Sequence, residues 1–119
     1  MKPVMKPRAD FVILQFAGAG GNPWPIAVLL LDSQDRLHVR ARPVADLATR
    51  IPPDDAEVVE FTLEQMLADA KSASGRETLA AFADQLSNTI RISDRQQTEL
   101  VSVEIALEDL YRKHVASVK

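Results

Sequence analysis

Residues 10–17 (DFVILQFA) leave no room for a helix before the glycines that follow, and they carry apolar side chains on both sides of an extended chain. Val12, Leu14 and Phe16 fall on one side, Phe11 and Ile13 on the other. Residues 26–32 (IAVLLLD) form a second apolar run, closed by the polar turn at residues 33–36. A sheet that is dry on one face alternates apolar with polar, so two such strands require cover on both faces. Helices, the chain's own tail or another subunit would each provide it.

Residues 37–42 (LHVRAR) behave differently. Leu37, Val39 and Ala41 point one way, and His38, Arg40 and Arg42 the other. Three strands joined by short connections read as an antiparallel meander, with this third strand toward an edge. After Pro43, residues 44–49 suit one helical turn. Pro52 and Pro53 then open a helix expected over residues 54–71, with acidic residues in its first turn and Lys71 in its last. Val59, Leu63, Met66, Leu67 and Ala70 make its inward stripe. Residues 57–61 also fit a short strand. A break at residues 72–75 precedes a helix over residues 76–86, with Leu79, Phe82, Ala83 and Leu86 on one face and Asn88 as terminator. Residues 89–93 (TIRIS) read as a fourth strand with Ile90 and Ile92 inward. A last helix follows from the N-cap Ser102 to about residue 115, striped by Val103, Leu107, Leu110, Tyr111 and His114. The expected fold is α+β: an antiparallel sheet of about four strands, meander first, with about three helices packed mainly on one face.

At 119 residues and 46% hydrophobic content, there is material for one domain with one core, expected over residues 10–119 behind a flexible N-terminal tail at residues 1–9. Met-Lys-Pro occurs at both Met1 and Met5, so either methionine is a possible start. The absence of cysteine excludes disulfides, thiolate catalysis and cysteine-based zinc sites. No apolar stretch follows the N-terminal charges as a secretory signal requires, and the longest apolar run, residues 26–31, is far too short to cross a bilayer. The expectation is a cytoplasmic protein without membrane contact. Up to Pro53 seven basic residues meet four acidic ones; beyond it seven meet thirteen. That polarity suits self-association or a protein partner and is too weak to call for nucleic acid.

No segment carries a catalytic, metal or nucleotide motif. The loop at residues 18–25 holds every glycine but Gly75, and backbone N–H groups around Gly20 and Gly21 could cradle an anion. Two prolines and a strand follow it, however, where phosphate-binding loops continue into a helix. A wide hairpin connection is the simpler reading, with Trp24 either packed over the sheet edge or offered as a contact anchor. His38, Arg40 and Arg42 form a basic stripe, which Arg91 would extend if the fourth strand lay alongside. Pairing with acidic helices is the plainer fate of such a stripe. Glu57, Glu60 and Glu64 share a helical face of the kind helices wear for solubility, and His38 and His114 lack the spacing of a helical metal pair. Two function classes remain: a noncatalytic interaction or accessory module, without cofactor, that self-associates or docks on a larger partner; and a small-anion binder using residues 18–25 and the basic strand face. A nucleic-acid-associated regulator is disfavoured by the negative net charge.

Overall fold

The computed structural model describes residues 8–17, 23–72, 74–85, 90–99 and 102–117. The elements follow the order β1 (Arg8–Phe16), β2 (Trp24–Leu31), β3 (Leu37–Ala41), α1 (Val44–Leu47), α2 (Pro53–Ser72), α3 (Gly75–Gln85), β4 (Ile90–Ile92), β5 (Gln96–Glu99) and α4 (Val103–Tyr111), the last continuing as a π-helical turn over Arg112–Ala116. The fold is α+β, as expected. β1 starts two residues before the strand read from sequence, so Arg8 and the buried Ala9 belong to the sheet rather than to a tail. β2 begins at Trp24, ahead of the apolar run. Residues 57–61 are helical throughout.

All strand pairs are antiparallel, in the order β3-β2-β1-β4, with β5 also on β1. The three meander strands are consecutive. The chain then returns through α1, α2 and α3 to lay β4 beside β1, which is the Greek-key order. β4 and β5 are two parts of one edge. Leu14 faces Ile92 and Phe11 faces Gln96, so three steps along β1 are matched by four along its neighbour. The extra residue makes a β-bulge. Ser93 holds it: its N–H donates to the Ile13 carbonyl at 2.9 Å, and its Oγ accepts from the Ile13 N–H at 2.8 Å.

The two dry faces of β1 and β2 are covered within the chain. On one side, Leu14, Phe16 and Ala27 pack with Leu47, Ile51, Val59 and Leu63, while Val12 and Leu29 pack with Met66, Leu79 and Phe82. On the other, Ala9, Phe11, Ile13, Val28 and Leu30 meet Leu110, Tyr111 and Val115. Three helices therefore share one face, and α4 with its π-turn closes the other. Leu67, placed on the inward stripe of α2 from its spacing, is exposed. It sits beside the stripe, which is narrower than the sequence suggests. The side chain of Ala83, with Leu86 and Asn88, lies outside the described residues.

The β2–β3 turn is fastened to α3. The Gly75 N–H donates to the Asp35 carbonyl at 2.8 Å, and the Arg76 N–H to Asp35 Oδ1 at 2.8 Å. Approach this close requires glycine, since a Cβ at position 75 would lie 2.8 Å from both Asp35 O and Leu37 N. Asp35 itself, at φ 62°, adopts the left-handed conformation that aspartate tolerates in turns.

Candidate functional site

The sequence singles out Gly20, Gly21, Trp24, His38, Arg40, Arg42 and Arg91. Gly20 and Gly21 lie outside the described residues. The alternation of β3 does place His38, Arg40 and Arg42 on one side of the strand, but that side faces α4 and not open solvent. Arg40 Nε donates to Glu108 Oε2 at 3.1 Å, and its guanidinium sits 4.4 Å from the centre of the Tyr111 ring. Arg42 is buried; its Nε donates to the Pro25 carbonyl at 2.8 Å and its Nη2 to the Val115 carbonyl. The same guanidinium lies 4.3 Å from the Trp24 ring centre. Burial lowers the Arg42 pKa, and Arg50 adds to that effect against the opposing pull of Tyr111 and Asp46. A guanidinium stays charged regardless. Arg42 thus ties the start of β2, the end of β3 and the C-terminal turn together.

His38 belongs to a separate arrangement. Its Nε2 is 2.9 Å from Asp32 Oδ2, while Asp32 Oδ1 accepts from the N–H groups of Gln34 and Arg36 at 2.8 and 3.0 Å. Burial works to raise the Asp32 pKa, yet the bonds from His38, Arg36 and Gln34 outweigh it and hold the carboxylate below its usual value. Arg91 is exposed on β4, with β1 and β2 between it and β3. It does not adjoin the stripe. Trp24, considered as an exposed contact anchor, is 7% exposed and packs with Phe16 in the core. That reading is corrected: the aromatic ring opens a strand and does not sit at a loop tip. The ring's second neighbour, Arg50, was not picked out from sequence; its guanidinium is 5.3 Å from the ring centre. Trp24 Nε1 is buried and has no hydrogen-bond partner among the described residues.

A second surface is not among those singled out from sequence. Ser102, Ile105, Ala106, Asp109 and Arg112 form one stripe of α4 and its π-turn. Together with Thr98 and Glu99 of β5 they line an open groove of about 220 Å³. Ile105 is 69% exposed, more than any other large apolar side chain among the described residues. Its backbone position is fixed because Ser102 Oγ caps the helix by accepting from the Ile105 N–H at 3.4 Å. Among the described residues no strand pairs with the outer edge of β5. Alternate residues of that edge therefore turn N–H and C=O groups outward. The groove and the edge together can accept an extended segment: backbone groups supply pairing, and Ile105 supplies an apolar ledge above it. An isoleucine off the Val103–Leu107–Leu110 stripe was the available clue.

The acidic face of α2 is also solvent-exposed. Glu57 and Glu64 flank Val58 and Phe61, which are 55% and 66% exposed. Among the described residues no three His, Asp or Glu side chains gather closely enough to hold a metal, and no helix is long and apolar enough to cross a membrane. Comparison of the chain with protein-family models, with curated proteins and with solved structures finds no match.

Proposed function

We propose that this chain is a noncatalytic interaction module that receives a protein partner along the β5 edge, in the groove beside α4. The observation that carries the reading is Ile105, an apolar side chain left in solvent beside a strand edge with which no described strand pairs. Single exposed apolar residues are ordinary on protein surfaces. One that overhangs open backbone hydrogen-bonding groups has a use, because strand addition combines main-chain pairing with a side-chain ledge. The test is a phage-displayed library of unstructured peptides panned against the dilute chain. Extended segments should be selected, their binding lost on Ile105→Glu and retained on Phe61→Ser. Recovery of no binders, or of binders indifferent to Ile105, would overturn the reading.

Arg50 favours a second reading, binding of a small anion. It lies beside Trp24 with no acidic partner among the described residues, and the buried Trp24 Nε1 offers a spare donor nearby. Trp24 is the sole tryptophan, so its fluorescence reports on this corner alone. Titration with inorganic phosphate and with acetate should change that signal, and Arg50→Ala should abolish the change. A flat titration would remove this reading.

A further inference from the structure

We infer that the partner at the β5 edge is a second copy of this chain, paired antiparallel about a two-fold axis through Gln97. The inference rests on the strand-addition reading above and goes beyond it by naming the occupant and its register. An edge is normally guarded by charge, proline or cover, because an open one recruits other strands. Of the four β5 residues, Gln96, Gln97, Thr98 and Glu99, three are uncharged and none is lysine or proline.

Geometry then selects the register. Antiparallel addition of an identical edge places the two-fold axis normal to the sheet, so each face continues into the same face of the partner. Residues opposite one another must therefore come from the same face. Gln96 and Thr98 lie opposite Phe11 and Ala9 of β1, on the side of α4, while Gln97 and Glu99 lie opposite Asp10 and Arg8 on the other side. Pairing through Gln97 sets Gln96 against Thr98 of the second copy, Gln97 against itself, and Arg95 against Glu99. The charges meet as opposites twice, once on each side of the axis. Arg95 is available for this: it is half-exposed and reaches Asp10 at only 3.8 Å. Shifting the axis to Thr98 would set Gln97 against Glu99 and lose both charge pairs. With the axis at Gln97, the two α4 helices share one face, and each Ile105 overhangs the strand added by its partner.

The register makes a test that folding alone cannot imitate. Arg95→Glu sets glutamate against Glu99 of the second copy, and Glu99→Arg sets arginine against Arg95. Sedimentation equilibrium should show a dimer of the unaltered chain at high micromolar concentration, weakened about tenfold or more by either substitution, as like charges facing across strands repel. The double variant Arg95→Glu with Glu99→Arg should recover it. So should a mixture of the two single variants, in which every facing pair is again opposite. Phe61→Ser, on the far helix, should leave association unchanged. A monomer at those concentrations overturns the inference, and so does a dimer indifferent to both reversals. If peptides are nevertheless selected at Ile105, only the identity of the partner falls; if neither is seen, the strand-addition reading falls with it.

Discussion

The two edges of the sheet are finished in opposite ways. At β3 nearly every outward polar side chain is engaged: Arg42 with two carbonyls and the Trp24 ring, Arg40 with Glu108 and Tyr111, His38 with Asp32. Partners come from β2, the β2–β3 turn and α4, so the α4-facing side of this edge strand is held by contacts spread across the chain. Among the described strands the β4–β5 edge pairs with β1 alone, bends at the Ser93 bulge, and ends in a polar segment next to an open groove. Charge in the first case does structural work. In the second, no described strand pairs with the outer side of β5, although Arg91, Asp94, Arg95 and Glu99 lie along that edge. A basic stripe is therefore no guide by itself to a binding face, because its value depends on whether a helix has already claimed it.

The sharpest way to break this contrast is Arg42→Ala. It leaves the carbonyls of Pro25 and Val115 without a charged donor and uncovers the Trp24 ring, for an expected loss of about 3 kcal/mol in urea unfolding. Arg42→Lys should recover little of it, since an ammonium cannot span both carbonyls and stack on the ring. A cost below about 1 kcal/mol, the scale of one ordinary hydrogen bond, would show that β3 is not held in the way described.

Asp32→Ala should cost about 1–2 kcal/mol, from the loss of one side-chain and two backbone bonds. It also has a pH signature. Because the folded carboxylate titrates below an unfolded aspartate, near about 3.9, its stabilisation is complete above that pH. The contribution disappears as pH falls through the lower folded value. Acid unfolding curves of the two proteins should accordingly converge at low pH; parallel curves would contradict the depressed pKa.

How much of this was open to reading from sequence depended on how local the cause was. The strands β1 to β4 announced themselves because a short apolar run or a side-chain alternation is a property of neighbouring residues. β5 did not, since Gln96, Gln97, Thr98 and Glu99 offer no apolar alternation and pair only because β1 is already there. The need to cover both faces of β1 and β2 was visible. That α4 supplies the cover followed less directly, although its stripe of Val103, Leu107, Leu110 and Tyr111 held the answer. Arg42 was placed on the correct side of β3, but its partners are 17 and 73 residues away. No local pattern encodes them. The groove was illegible for the same reason, being made between two elements rather than within one.

On the β4–β5 side the expected effects are smaller. Ser93→Ala removes the hydroxyl that accepts from the Ile13 N–H and should cost about 1 kcal/mol. Thermal unfolding would measure it, and amide exchange at Ile13 should quicken. A loss as large as that of Arg42→Ala would mean that the bulge, not the β3 edge, dominates stability. Smallest of all, Arg40→Ala should change stability by about 0.5 kcal/mol or less, because both it and Glu108 are substantially exposed. A larger cost would assign the Tyr111 stacking more weight than the charge pair.

Val115 gives the molecule a kinetic character. It is fully buried, and its carbonyl receives Arg42 from across the sheet. A chain emerging from the ribosome can assemble the meander and its first helices, but it cannot close the second face until residue 115 has been made. Until then Phe11, Ile13, Val28 and Leu30 stand uncovered, so folding is expected to finish late and all at once, with that bare apolar face as the interval's main hazard for aggregation.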